Sequence, residues 1–125
     1  MPDLTFARDG RAHFPTKYHG MLSMSKAKWD EVCQEPERFY YRQNGEKVAT
    51  TLIHPDFVRC SKSHRSQFLY YKQFEIFQLS GKGIAARLKY WTVIIDTRTM
   101  RICTVYPTNN PKPGKEYKPG VRHEG

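Results

Sequence analysis

The stretch YWTVIIDTRTMRICTVYPT, Tyr90–Thr108, decides the fold. It reads as two strands, Tyr90–Asp96 and Arg101–Pro107, both rich in β-branched and aromatic residues, joined by a loop of hairpin length at Thr97–Met100. Strict alternation puts Ile102, Thr104 and Tyr106 on one face of the second strand and Cys103 and Val105 on the other. Trp91, Val93 and Ile95, with Cys103 and Val105, are expected to be core. Thr104 and Tyr106 are then expected to present two hydroxyls, two residues apart, toward a site.

Working outward, Gln67–Gln78 (QFLYYKQFEIFQ) could form a helix, but its aromatic density argues for a long strand with Phe68, Tyr70, Lys72 and Phe74 on one face. Ser80–Gly83 is a turn, Asp56–Ser61 a shorter extended piece, and Lys62–Ser66 a polar loop. Asn44–Gly45, between Arg38–Gln43 and Glu46–Ile53, carries the strongest short-range hairpin signal and predicts a strand on either side. Ser25 is a good N-cap for a helix over Lys26–Glu35, with Trp29, Val32 and Cys33 on one stripe and Pro36 ending it. His13–Met24 reads as an irregular segment or a short helical turn. The expected fold is α+β, an N-terminal helix packed on one face of a twisted antiparallel sheet of about five strands. Residues 1–12 are expected to be a flexible N-terminus, 13–108 a single domain, and 109–125 a basic Pro/Gly-rich tail.

The 125-residue chain has room for one core. Its 21 Lys+Arg against 12 Asp+Glu give a formal charge of +9, the footprint of a polyanion partner. From Arg59 to Lys72 stand Arg59, Lys62, Arg65 and Lys72 with His64 and no acid. Lys82, Arg87, Lys89, Arg98 and Arg101 follow, against Asp96 alone. Phe68, Tyr70, Tyr71, Phe74, Tyr90 and Trp91 interleave these cations. Cations beside rings on a sheet suit RNA, whose phosphates are paired by charge and whose unstacked bases lie on aromatic planes. Arg59, Lys62, His64, Arg65, Tyr70, Arg87 and Lys89 are the candidate RNA contacts.

Several classes are disfavoured. No run of about 18 apolar residues predicts a membrane helix, and MPDLTFARDGRAH lacks the apolar segment of a signal peptide. Cys33, Cys60 and Cys103 are scattered without CxxC spacing, which favours a reducing compartment and gives no zinc motif. No carboxylate pair suggests a two-metal nuclease, and no phosphate-binding GxxxxGK[ST] loop occurs. No cofactor or metal is expected. Cleaving a phosphodiester without metal needs a base for the 2′-hydroxyl proton, an acid for the leaving oxygen, and donors to hold developing charge. His13 and His19 are the candidates for proton transfer, and His54 is as well explained by a turn.

These residues resemble the barnase/EndoU/colicin/RelE (BECR-fold) superfamily of metal-independent ribonucleases, in its phage- and toxin-associated branches. The likeness spans about residues 13–108. It rests on an early His before a helix ending in Pro (HFPTKYHGMLSMSKAKWDEVCQEP), the central Tyr70, Tyr71 and Lys72, and the terminal VIID…ICTVYPT hairpin. The resemblance implies cleavage of structured RNA, often tRNA, by acid–base chemistry. His13 or His19 would then transfer the proton, Lys72 and Arg59 would bind phosphate, and Thr104 with Tyr106 would position the scissile group. Toxin character further implies an acidic antitoxin or immunity protein, while Met1 and the absent leader lead to the expectation of a cytoplasmic site of action, with delivery as part of a larger toxin left open. The alternative is a non-catalytic nucleic-acid-binding accessory protein of a phage or mobile element.

Overall fold

The computed structural model describes residues 5–34, 45–81 and 83–117. The elements are β1 (Arg11–Pro15), β2 (Met21–Ser25), α1 (Lys26–Gln34), α2 (Glu46–Ile53), β3 (Phe57–Cys60), β4 (Gln67–Ser80), β5 (Gly83–Asp96) and β6 (Arg101–Thr108). The fold is α+β with two helices and one six-stranded sheet ordered β1-β2-β6-β5-β4-β3. The sheet is mixed: β2 meets β6 in parallel at Ser23↔Arg101, and every other neighbouring pair is antiparallel.

The opening stretch forms β5 and β6 as expected, with one change. A register shift at Ile94/Ile95 pairs Ile94 with Thr104 and Ile95 with Ile102, which leaves Cys103 as the extra residue of a bulge. The side-chain phase resets there. Ile102 and Val105 share the face that carries Trp91, Val93 and Ile95. Cys103 and Tyr106 pack on the opposite face with Leu69, Tyr71 and Ile94. Cys103 therefore does not join the main core, and Ile102 does.

Two segments differ from expectation. His13–Met24 is a β-hairpin, with Ala12 and Phe14 of β1 and Leu22 and Met24 of β2 buried in alternation. Its loop closes through Thr16 and Gly20: the Thr16 N–H and Oγ1 both donate to the Gly20 carbonyl at 2.8 Å, and Gly20 takes φ 72°. Glu46–Ile53, expected as a strand, is helix α2, because Val48, Thr51 and Leu52 fall on one buried helical stripe. Thr50 and Thr51 satisfy their hydroxyls by donating to the carbonyls of Glu46 and Lys47 four residues back. The partner strand expected over Arg38–Gln43 lies outside the described residues. Helix α1 forms where expected, and the Ser25 hydroxyl caps it by accepting the Lys28 N–H at 3.1 Å.

Residues of both helices join the cluster on one face of the sheet. Trp29 and Val32 of α1 and Val48 and Leu52 of α2 meet Tyr70, Trp91, Val93, Ile95, Ile102 and Val105 in the main core. The other face has a small cluster of Leu69, Tyr71 and Ile94, with no described helix on it. After β6 the chain does not run off as a free tail up to Tyr117. The Cys60 N–H donates to the Lys115 carbonyl and the Tyr117 N–H to the Val58 carbonyl, both at 2.7 Å, so this segment lies along the edge of β3. Among the described residues no helix is long and apolar enough to cross a membrane.

Candidate nucleic-acid interface

The antiparallel register lines up side chains across four strands. Phe57, Tyr71, Thr92 and Tyr106 are successive partners across β3, β4, β5 and β6. Arg59, Leu69, Ile94 and Thr104 form the next row. Because side chains alternate along each strand, both rows point to the face opposite the helices. Neighbouring strands lie about 4.8 Å apart, so Tyr71 and Tyr106 stand roughly 10 Å apart with the smaller Thr92 between them. Thr92 is fully buried, and its Oγ1 has no hydrogen-bond partner among the described residues.

Arg59 leans over this row, its guanidinium carbon 4.8 Å from the Phe57 ring centroid and 6.0 Å from that of Tyr71. Its Nη1 donates to the Lys112 carbonyl at 2.8 Å and, at 3.5 Å, to that of Pro111. The Lys112 N–H donates to the Tyr71 hydroxyl at 2.9 Å, and the Lys112 ammonium sits 5.8 Å from the Tyr106 ring centroid. Burial pushes the Tyr71 phenol above its ordinary value, with the Lys112 N–H and the Arg59 charge pulling the other way. Tyr71 is therefore a protonated donor at neutral pH.

The expected catalytic residues divide between the two faces. His19 is on the helix face: its Nδ1 lies 2.6 Å from the Tyr70 hydroxyl, and its ring stacks on Phe68 at 4.3 Å and meets Tyr117 at 4.8 Å. Burial lowers the His19 pKa and raises that of Tyr70 to about 12, so this pair is neutral. Tyr70 and Tyr71 are both fully buried: Tyr70 in the main core under the helices, so not an exposed RNA contact, and Tyr71 in the smaller cluster of the opposite face, beneath Arg59 and with its hydroxyl bonded by the Lys112 N–H. Lys72, two residues along the same strand, shares that face and pairs with Asp56 at 3.5 Å. Thr104 and Tyr106 are thus separated from His19 and Lys72 by the sheet.

His13 does share the open face, where its Nε2 lies 2.9 Å from Asp9 Oδ2. It sits level with Ser23 and, through it, Arg101. That is two strands and about three residues from Thr104, on the order of 14 Å. The Arg11 N–H and the His13 contact together hold the Asp9 carboxyl below its usual range. His54 caps the end of α2 through its backbone. Lys62, His64 and Arg65 are exposed in the β3–β4 loop, and Lys89 is half-buried opposite Phe74. Arg87 lies on β5 opposite Ile76, and its side chain is outside the description.

Thr92, Tyr71 and Lys112 were missed as site residues. Register with Tyr106 could have found the first two, whereas Lys112 required the path of the chain after β6. Among the described residues, no three His, Cys, Asp or Glu side chains gather as a metal site would need. No family model, curated protein or solved structure matches this chain.

Proposed function

We propose that this protein acts on RNA at the open face of its sheet, as an endoribonuclease that uses the RNA's own 2′-hydroxyl without a metal ion. The observation that carries this reading is the row Phe57, Tyr71, Thr92 and Tyr106 beside Arg59 and Thr104, on a face neither helix covers. The part-exposed rings of Phe57 and Tyr106 offer stacking planes for unpaired bases, with the buried Tyr71 ring stacked beneath Phe57, which favours single-stranded or looped RNA, tRNA loops included. Arg59 clamps the phosphate and holds the charge that develops on it. Protonated Tyr71 donates to the leaving 5′-oxygen, and the Thr104 and Tyr106 hydroxyls orient the group. The formal +9 charge and the resemblance to BECR-fold ribonucleases support the same class.

His13 and His19 do not act at this phosphate in the proposal, so the 2′-hydroxyl proton leaves to solvent base. Cleavage then climbs steadily with pH across neutrality, without the plateau that a histidine base would impose. An acidic antitoxin or immunity protein is the partner proposed to cover this face. The second reading, a nucleic-acid-binding accessory protein without turnover, is favoured by the separation of both early histidines from Thr104 and Tyr106.

Incubation of the protein with RNA in EDTA, followed by analysis of the ends, separates these readings. The expected result is 2′,3′-cyclic phosphate ends, lost in Arg59→Ala. Cleavage that requires magnesium overturns the mechanism. Salt-dependent binding with no cut at high protein concentration decides for the accessory protein.

A further inference from the structure

We infer that the segment Asn109–Tyr117 is a self-inhibitory strap, which occupies the RNA site and must leave before RNA can enter; this rests on the RNA reading above. Three observations converge on it. The carbonyls of Lys112 and Pro111 accept from the Arg59 guanidinium, at the position where phosphate oxygens would bind. The Lys112 N–H occupies the Tyr71 hydroxyl, and the Lys112 ammonium occupies the Tyr106 ring. The strap therefore takes the cation, the donor and one stacking plane at once.

Its hold on the sheet is local. The strap turns around the β3 edge through Cys60 N–H to Lys115 O and Tyr117 N–H to Val58 O. Tyr117 then settles on the helix face against Phe68 at 5.2 Å and Tyr18 at 5.5 Å. The turn is made at Gly114, where a Cβ would lie 2.5 Å from the Cys60 carbonyl oxygen, a backbone atom that cannot step aside. Any larger residue at 114 must lift the strap from β3. Pro111 and Pro113 flank Lys112 and remove two backbone donors, so the strap adds few ladder bonds of its own. A segment anchored at Tyr117 but lying over charged and aromatic groups at Pro111 and Lys112 behaves as a competitor of the ligand, lowering apparent affinity by the fraction of molecules left open.

The test uses the full chain carrying Gly114→Val, with Lys112→Pro as a second variant that deletes the N–H to Tyr71 and leaves the main core under the helices unchanged. Trypsin cleavage after Lys115 reports strap release, and a labelled single-stranded oligoribonucleotide reports binding. Release accompanied by affinity about tenfold tighter than wild type is the expected outcome. Release with RNA affinity unchanged or weaker shows that the strap completes the site, and overturns the inference alone. RNA bound by neither wild type nor variant overturns the RNA reading itself.

Discussion

The two faces of the sheet use the same strands for opposite purposes. On the helix face, His19 Nδ1 lies 2.6 Å from the Tyr70 hydroxyl while its Nε2 is buried with no partner among the described residues, and large rings (Trp29, Trp91) are fully buried. On the open face, one residue along, Tyr71 and Arg59 make their bonds to Pro111 and Lys112 of the strap. Alternation along β4 thus sends the two fully buried rings of Tyr70–Tyr71 to opposite faces, one into the main core and one into the small cluster beside the proposed RNA face. A polar group locked inside a packed face contributes to folding. One covered only by residues 111 and 112 would be uncovered if that segment moved away.

The largest effect that would sharpen this contrast is on stability. Trp91→Ala should cost about 3–5 kcal/mol and lower the thermal midpoint steeply, because the cavity opens inside the main core cluster. Arg59→Ala should do the reverse, holding the thermal midpoint near wild type while RNA cleavage falls by about 100-fold. A midpoint loss as large as that of Trp91→Ala would mean that Arg59 belongs to the framework.

Thr92→Val is a finer probe. Its buried hydroxyl has no described partner, so an isosteric methyl should leave stability unchanged or raise it by up to ~1 kcal/mol, measured by urea unfolding. RNA affinity should drop in the same variant, since the floor between Tyr71 and Tyr106 loses its polar atom.

The smallest effect concerns His19. Burial holds its folded pKa below the ordinary 6.5, so the unfolded chain takes up the proton first as pH falls. Its contribution is complete above 6.5 and is lost progressively as pH drops toward the lower folded value. His19→Phe, which keeps the stack on Phe68, should flatten stability against pH in that window. Cleavage at neutral pH should be unaffected by the change.

What was legible in the sequence were elements with one dominant signal. The β5–β6 hairpin, the long β4 and the Ser25-capped α1 each had a period or a cap that no neighbour contradicted. The strand expected after Asn44–Gly45 failed because the helical stripe Val48, Thr51, Leu52 is buried, which the local turn signal did not reveal. Pro15 and Gly20 hid the β1–β2 hairpin by looking like breakers, when they end one strand and turn into the next. The site was half legible. Arg59, Thr104 and Tyr106 do share a face, but Cys103 had to be extruded as a bulge to put its own side chain there, and no alternation rule foresees a bulge. His19 and Lys72 fell to the other face because strand parity, together with a hairpin where none was expected, decided their direction.

The most direct measurement is a methyl-resolved NMR titration of the protein with a single-stranded oligoribonucleotide. If RNA binds the open face, the methyl signals of Thr92, Thr104, Leu69 and Ile94 should shift, and those of Leu22, Val48, Leu52 and Ile95 should stay in place. Shifts confined to the helix-face methyls, or none at saturating RNA, would contradict it.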